Sequence, residues 1–368
     1  MWILREITEC GGEVGFRRFM ELALYHSEHG YYASGRMPWG RDGDYLTAPT
    51  ASGWYGATVA GLLREISTRS GNRFRLVDIA AGDGSFLTSV LAALGGDAVE
   101  VLSGVTAVER SVALRNRLEG LLEGAPVEGR VSERLPDHGA ELVVVHASEL
   151  YDAMPVHLVE QTAAGLLELT VVQAGAGLQW GRRKAGAGLE AYFLRHNVEL
   201  ADGQLAEINP AAEPAHRELL ETCRDGVALI LDYGYEARRL YDPRGRRHGS
   251  LVSYREHEVD RDLLDSPGER DLTAHVNWDD LRQAATGCGW AEIGLMPLAE
   301  FLFRAGIAER VDEAGFGIEA DLDAKTVTAR QEIKRLLDPD GMGSDLKMLI
   351  QGKGRLGDIA AEILTRPV

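Results

Sequence analysis

The chain has 368 residues, of which 45% are hydrophobic and 26% are charged, and this length and composition predict an ordinary globular protein with a large core. Its formal net charge at pH 7 is −18. That charge disfavours a nucleic-acid binder, because phosphates would be repelled rather than neutralised.

The first 70 residues predict a helical cap that contains one long loop. Apolar residues recur at helical spacing in Phe16–Leu24 and again in Trp54–Ile66. The intervening segment, Gly30–Ser52, is rich in Gly, Pro, Asp and Tyr. This segment is longer than most loops that only connect two elements of a compact domain, so we expect it to bind a ligand.

From residue 74 onward, strand and helix patterns alternate. The predicted strands are Phe74–Ile79, Val99–Val108, Leu142–His146, Val227–Leu231, Ala291–Met296 and Leu346–Ile350, and the helices are Ser85–Leu94, Val112–Leu122 and Trp278–Thr286. Repeated βα units predict a parallel α/β sheet. Residues 71–368 therefore form one Rossmann-like core with insertions near 158–225, 235–275 and 297–340. We expect the first to begin as an antiparallel unit, the second to be a lid and the third to be mostly helical.

The segment from Val77 to Ser85 has the pattern of a strand, a turn and a helix. Gly82 and Gly84 allow the backbone to approach a ligand closely, and the helix that follows offers unpaired N–H groups to an anion. The full G-x-G-x-x-G spacing of nicotinamide sites is missing. Asp78 suits a ligand with a cationic amino group, such as S-adenosylmethionine, and Glu109 ends the next strand, where an acid commonly binds ribose hydroxyls.

A second group of polar residues follows the strand that ends near His146. Glu149 and Asp152 come three residues apart and are followed by Pro155. One interpretation is a capped helical turn with acids in its first turn. The other is a pair of carboxylates that holds a cationic acceptor at the edge where open α/β sheets bind ligands.

Several blocks give the chain a resemblance to a known family. They are Phe19–His26, Gly30–Tyr32, Gly43–Pro49, Glu149–His157, Asp232–Gly234, Pro267–Glu269, Asp271–Val276 and Met342–Lys347. From about Phe16 to Ile350 the chain resembles the MidA-type class I S-adenosylmethionine-dependent methyltransferases, the family of the mitochondrial complex I assembly arginine methyltransferase.

The resemblance implies S-adenosylmethionine as cofactor. Gly82, Asp83 and Gly84 would hold its methionine end and Glu109 its ribose. The Gly43–Pro49 loop, with Thr47, would close over the cofactor, and Ser148 would adjoin it.

The resemblance also implies a protein arginine as acceptor. A guanidinium has a pKa above ~12 and a delocalised lone pair, so it needs paired carboxylates to bind and orient it. We assign this role to Glu149 and Asp152, and expect Tyr233 and His275 to orient the acceptor or relay its proton. The alternatives are a peptide or small-metabolite acceptor, or a cofactor-binding assembly protein without transfer activity. No nucleic-acid, membrane or metal partner is expected.

The chain departs from the family pattern at a few positions. Asp78 stands where Glu is usual, Ser148 where Asn is usual, and Thr50-Ala51 where Glu-Ile is usual. Three distant cysteines, Cys10, Cys223 and Cys288, indicate neither a disulfide framework nor a zinc site, and predict a reducing, cytoplasmic location.

Overall fold

The computed structural model describes residues 2–33, 46–255, 258–318, 320–321 and 323–366. Its centre is a seven-stranded sheet in the order β3-β2-β1-β4-β5-β7-β6. The strands are β1 (Phe74–Ile79), β2 (Leu102–Val108), β3 (Gly129–Ser132), β4 (Leu142–Ser148), β5 (Asp225–Tyr235), β6 (Ala291–Pro297) and β7 (Leu346–Lys353). Strands β1 to β5 are parallel, while β7 runs antiparallel to both β5 and β6. A short strand, Val276–Asn277, pairs with the end of β5.

Helices cover both faces of this sheet. Within β4, Val144 packs into one hydrophobic cluster, and Val143 and Val145 pack into another on the opposite face. The first face is covered mainly by Gly53–Ser70, Ser85–Leu94, Val112–Glu123 and Gly354–Leu364, and the second by Ala212–Glu221 and Trp278–Gly287. Burial on both faces explains why the parallel strands read as continuous apolar runs.

The insertion after β4 forms a second, antiparallel sheet. Its five strands are Glu13–Gly15, His157–Thr162, Gly165–Ala174, Gly177–Lys184 and Leu205–Ile208. The N-terminal helices Trp2–Glu9 and Phe16–Tyr25 pack against this sheet, so the start of the chain is held by the insertion. A three-stranded lid sheet joins the same cluster and consists of Val252–Arg255, Glu258–Asp260 and Asp271–Thr273.

The remaining elements are short or peripheral helices. They are Tyr31–Ala33, Ala48–Ala51, Gly95–Asp97, Ala98–Val101, Ala187–Arg195, Ala237–Leu240, Leu298–Arg304, Ile307–Glu313, Ala324–Leu336 and Met342–Asp345. Within the part of the chain that the structure describes, no helix combines the length and apolar character needed to cross a membrane.

The predicted alternation of strands and helices is confirmed, with several differences. The strand Gly129–Ser132 was not predicted, and β7 runs antiparallel to both neighbours, so the sheet is mixed rather than parallel. The second strand begins at Leu102 rather than Val99, because Ala98–Val101 forms a helical turn that leaves Val99 exposed. The predicted boundary at residue 70 stays a prediction. Gly53–Ser70 packs in the same hydrophobic cluster as the central sheet, whereas residues 2–33 pack with the insertion.

Candidate active site

The turn after β1 contains three residues in the left-handed region of the backbone. Ala80, Gly82 and Gly84 have φ values of 54°, 58° and 81°. Asp83 accepts a hydrogen bond from the N–H of Ser85 at 2.9 Å, which fixes the start of the ten-residue helix Ser85–Leu94. The free N–H groups at the start of such a helix favour an anionic ligand group.

Gly84 is required by packing. A Cβ at this position would lie 2.8 Å from Leu121 Cδ1 and 3.0 Å from Leu118 Cδ2, both on helix Val112–Glu123. A side chain at Gly84 would therefore require the Leu118 and Leu121 side chains to shift. The close approach of Gly84 to a ligand stays a prediction.

Glu109 lies at the end of β2 and connects two loops. Its Oε2 accepts the N–H of Gly82 at 3.1 Å, and its Oε1 accepts the N–H of Ser111 at 2.8 Å. Burial raises the pKa of this carboxyl, and the backbone donors act in the opposite direction. Each carboxylate oxygen retains a lone pair for a ligand hydroxyl.

Asp78 is buried behind the turn, with an exposed fraction of 2%. Its Oδ1 lies 2.7 Å from Nδ1 of His146, and its Oδ2 is buried without a hydrogen-bond partner among the described atoms. An unpartnered buried carboxylate oxygen is costly, and the ammonium group of S-adenosylmethionine would satisfy it. Together with the glycine turn and Glu109, this oxygen fits the cofactor.

Glu149 occupies a strained position at the end of β4. Its φ is +51°, which is unusual for a residue other than glycine, and its N–H donates to the Leu231 carbonyl at 2.8 Å. Its Oε1 and the neighbouring Ser148 Oγ are both buried without a described partner. Strain of this kind costs roughly 1–3 kcal/mol and is concentrated at functional sites.

A capped turn connects the N-terminal segment to Glu149. Thr47 Oγ1 accepts the N–H of Thr50 at 3.3 Å, and Thr50 Oγ1 accepts the N–H of Thr47 at 3.0 Å. The backbone amide of Ala48, the first helical residue, lies close enough to the Glu149 carboxylate to oppose the increase in its pKa that burial causes. Thr50 therefore performs the reciprocal capping that a Glu performs at this position. The rest of the predicted cofactor-covering loop, Gly43–Tyr45, lies outside the described residues.

Asp152 and Asp232 lie side by side at the same edge of the sheet, with exposed fractions of 5% and 0%. Asp232 accepts backbone N–H groups from Tyr151 at 2.9 Å, Asp152 at 3.4 Å and Tyr233 at 2.8 Å. Burial raises the pKa of Asp232 to about 7. Burial, followed by repulsion from Asp232 and Glu149, raises the pKa of Asp152 well above its ordinary value.

Asp271 and several tyrosines complete the surroundings of these acids. Tyr32 donates its hydroxyl to Asp271 at 2.9 Å, and Tyr25 donates to the Ala153 carbonyl at 2.8 Å. Burial, together with the charges of the neighbouring acids, raises the pKa of five groups. These are Tyr25, Tyr233, Tyr254, Glu149 and Asp152. Asp232, Asp271 and Tyr25 were not among the predicted site residues.

The two predicted substrate residues lie next to each other. The rings of Tyr233 and His275 are stacked with centroids 6.4 Å apart. Nδ1 of His275 must accept a hydrogen bond, because its partner at 3.0 Å is the Arg246 guanidinium. Burial and the Arg246 charge lower the pKa of His275 to about 4, so the ring is neutral at pH 7. Its contact with an acceptor stays a prediction.

Three of the carboxylates at this edge have no ion pair within the described part of the chain. Among the described residues, Glu149, Asp152 and Asp232 form no ion pair with Lys, Arg or His. Nor does the described part of the chain contain a group of three or more His, Cys, Asp or Glu side chains placed to hold a metal ion.

The strand order, the glycine turn and the acid at the end of β2 define a Rossmann-like class I methyltransferase site for S-adenosylmethionine. The chain belongs to the Methyltransf_28 family of S-adenosyl-L-methionine-dependent methyltransferases, whose family model matches residues 56–296.

Solved structures and curated relatives agree with this assignment. A Burkholderia thailandensis member of the COG1565 superfamily, solved with S-adenosyl-homocysteine bound, is 28% identical and has a TM-score of 0.82. The match covers 95% of this chain and 90% of the Burkholderia chain. The mouse mitochondrial protein arginine methyltransferase NDUFAF7 is 26% identical and covers 83% of this chain and 74% of its own. The Drosophila melanogaster homologue is 25% identical, and the match covers 94% of this chain and 83% of the homologue. The predicted family resemblance, fold class, cofactor and methyltransferase activity are confirmed.

Proposed function

We propose that the methyl acceptor is the guanidinium group of an arginine in a protein or peptide. The observation that carries this proposal is the set of buried carboxylates Glu149, Asp152 and Asp232, which form no ion pair within the described part of the chain. A guanidinium is a planar cation with five N–H donors, and it would neutralise these acids and satisfy the bare Oε1 of Glu149. The relatives named protein arginine methyltransferases support the same acceptor.

The three carboxylates have different tasks in this proposal. Asp232 is occupied by backbone N–H groups and holds the turn that carries Tyr151 and Asp152. Glu149 has the Ala48 amide near its carboxylate, and its Oε1, which has no described partner, is left for the acceptor. Asp152 is the second acid available to the guanidinium. We therefore assign substrate binding to Glu149 and Asp152, and positioning of their turn to Asp232.

The acceptor must also lose a proton, because a protonated guanidinium is a poor nucleophile. Burial and the charges of Asp232 and Asp271 raise the pKa of the Glu149 carboxyl well above its ordinary value. A carboxylate with a raised pKa is a stronger base, so Glu149 or Asp152 can accept the proton lost on methylation. When bound, S-adenosylmethionine supplies a methyl group carried by its sulfonium, and the leaving group is a neutral thioether that needs no acid catalysis.

The tyrosines favour a cation over a neutral acceptor. Tyr25 and Tyr32 are stacked at 5.5 Å, and Arg110 already lies over the Tyr25 ring at 5.0 Å. Aromatic faces attract cations electrostatically, so Tyr25 and Tyr32 are suited to lie beside a guanidinium. A neutral small metabolite would supply no counter-charge to Glu149 and Asp152, which have no ion pair within the described part of the chain.

The test uses tritiated S-adenosylmethionine and a lysate from cells that lack the gene. Label recovered after acid hydrolysis as methylated arginine supports the proposal, and Glu149→Gln serves as the matched inactive enzyme. Label recovered in lysine, or only in a small-molecule fraction, would overturn the arginine assignment while leaving the methyltransferase activity intact.

We also propose a reducing, cytoplasmic location. Cys10, Cys223 and Cys288 are all free, which suits a reducing compartment. The curated relatives are named mitochondrial, so imaging of a tagged full-length chain in its own cells decides the matter. Recovery of the protein in an oxidising compartment would contradict the proposal.

A further inference from the structure

A hydrogen-bonded triad of buried side chains, Asp78, His146 and Tyr55, lies behind the glycine turn. Asp78 Oδ1 lies 2.7 Å from His146 Nδ1, and His146 Nε2 lies 2.8 Å from the Tyr55 hydroxyl. The residues come from β1, β4 and helix Gly53–Ser70, and His146 and Tyr55 have exposed fractions of 1% and 0%. His146 thus links Asp78 on β1 to Tyr55 on the helix that packs over the sheet.

The donors and acceptors in this triad follow from the chemistry of its three side chains. An ionised carboxylate only accepts, so His146 donates from Nδ1 to Asp78, and its Nε2 accepts the hydroxyl hydrogen of Tyr55. Burial, together with the nearby acids Asp78 and Glu149, raises the pKa of Tyr55 well above its ordinary value, so this hydroxyl keeps its hydrogen. Both hydrogen bonds therefore stabilise the carboxylate form of Asp78.

The imidazole is also held in place by stacking. The rings of Phe86 and His146 are 3.6 Å apart between centroids and are inclined by 14°. Phe86 is the second residue of helix Ser85–Leu94, which begins directly after the glycine turn. The orientation of His146 is therefore coupled to the element that binds the cofactor.

One carboxylate oxygen of Asp78 takes no part in the hydrogen bonds of this triad. Oδ2 is buried and has no described hydrogen-bond partner. We propose that His146 and Tyr55 are positioning residues for cofactor binding, which keep Asp78 ionised and oriented so that Oδ2 binds the amino group of S-adenosylmethionine. This inference concerns the cofactor and is independent of the methyl acceptor.

Two other acids act on Asp78. Burial raises the pKa of Asp78 above its ordinary value, the hydrogen bond from His146 opposes this, and the charge of Asp83 in the turn raises the pKa further. Glu109 lies near enough for Asp78 to raise its pKa as well. Without the His146 donor, Asp78 would remain beside two acids in a buried site. It would then take up a proton and lose its attraction for an ammonium group.

The experiment compares two ligands by calorimetry. S-adenosylhomocysteine carries the amino-acid end, whereas 5′-methylthioadenosine keeps the adenosine and thioether but lacks that end. We expect His146→Leu to weaken S-adenosylhomocysteine binding by about tenfold or more, and 5′-methylthioadenosine binding by less than about twofold. His146→Asn retains a donor toward Asp78 and should recover most of the lost affinity.

A matched control is available on the opposite face of the sheet. His216 Nδ1 lies 2.7 Å from the Tyr151 hydroxyl, and its Nε2 lies 2.7 Å from Gln351 Oε1. His216→Leu removes a buried tyrosine–histidine contact of the same kind, so it should leave the ratio of the two affinities unchanged. Equal weakening of both ligands by His146→Leu, or no weakening, would overturn the proposal.

Tyr55→Phe provides a second test should His146→Leu fail to fold. Loss of the hydroxyl weakens the support for the Asp78 carboxylate, so S-adenosylhomocysteine affinity should begin to fall at a higher pH than in the unmodified protein as the pH is lowered. A pH profile identical to that of the unmodified protein would overturn the role of Tyr55. A purely structural role would change thermal stability without moving this profile.

Discussion

The backbone N–H of Gly82 donates to Oε2 of Glu109 at 3.1 Å, so the turn after β1 is tied to the end of β2. The other oxygen of the carboxylate accepts the Ser111 N–H at 2.8 Å. Glu109 therefore fixes the shape of this turn, and its remaining lone pairs are the predicted acceptors for a ribose. Its replacement should affect both tasks together.

Glu109→Gln should weaken S-adenosylhomocysteine binding by about 10- to 100-fold. The amide has one accepting oxygen and no charge, so one backbone N–H loses its acceptor and the ribose loses a charged partner. Calorimetry measures the change. Glu119→Gln, at an exposed position on helix Val112–Glu123, is the control and should bind as the unmodified protein does. Unchanged affinity in Glu109→Gln would remove this residue from the cofactor site.

Gly84→Ala should reduce the free energy of unfolding by about 2–4 kcal/mol. The new Cβ would lie within 3.0 Å of Leu118 and Leu121, and φ at this position is +81°. Both the left-handed backbone and the overpacking are unfavourable for alanine.

The matched control for this substitution is Gly120→Ala on helix Val112–Glu123, which carries Leu118 and Leu121. A Cβ at Gly120 would have no atom within 4 Å, so it should stabilise the helix by about 0.5–1 kcal/mol. Urea unfolding of both variants measures the two effects. Similar stability for Gly84→Ala and Gly120→Ala would contradict the packing explanation.

The central sheet could be predicted because its signals are local. Phe74–Ile79 and Ser85–Leu94 are apolar segments separated by a glycine turn, and the structure gives them the predicted bounds. His146 was also visible as a polar residue in an apolar strand, although its partners Asp78 and Tyr55 depend on the strand order and on helix packing.

The acceptor side could be predicted only in part. Glu149 and Asp152 follow a strand directly, so sequence alone places them at the ligand edge. Asp271 reaches the site through the lid sheet, and Tyr25 through packing of the N-terminal helix on the insertion. These contacts join segments more than 100 residues apart and leave no periodic pattern. Thr50 was considered a departure because its capping bond with Thr47 becomes evident only in the folded turn.

Thr50→Ala should lower turnover several-fold, whereas Thr50→Ser should not. Alanine removes the oxygen that accepts the Thr47 N–H at 3.0 Å, and loss of such capping contacts costs about 0.5–2 kcal/mol. The turn that presents the Ala48 N–H to Glu149 would then be less ordered. Initial rates with an established arginine substrate measure the effect, and equal rates for the two variants would show that the capped turn is not needed.

Asp152→Asn should make stability less sensitive to rising pH. An aspartate titrates near ~3.9 in the unfolded chain, and the pKa of Asp152 in the folded protein is well above that value. Between the two pKa values the native state binds more protons, so its stability falls as the pH increases. Asparagine removes this loss. The decrease in Tm between pH 5 and pH 8 should be smaller in the variant by roughly 2 °C or more.

The control for the pH experiment is Asp202→Asn, at an exposed position outside the cluster. It should show the same decrease in Tm as the unmodified protein. If Asp152→Asn lost as much stability between pH 5 and pH 8 as the unmodified protein, the raised pKa of Asp152 would not be the cause of the decrease.

Glu149→Gln should lower kcat by about 100-fold or more and change the Kd for S-adenosylhomocysteine by less than about threefold. The amide keeps the size of the side chain but cannot accept the guanidinium proton or neutralise its charge. Because the left-handed backbone at φ +51° and the bond from the Glu149 N–H to Leu231 are retained, the fold should be preserved. Glu190→Gln, on the exposed surface of helix Ala187–Arg195, is the control. A large loss of cofactor affinity in Glu149→Gln would move this residue to the cofactor site, and full turnover would exclude it from the reaction.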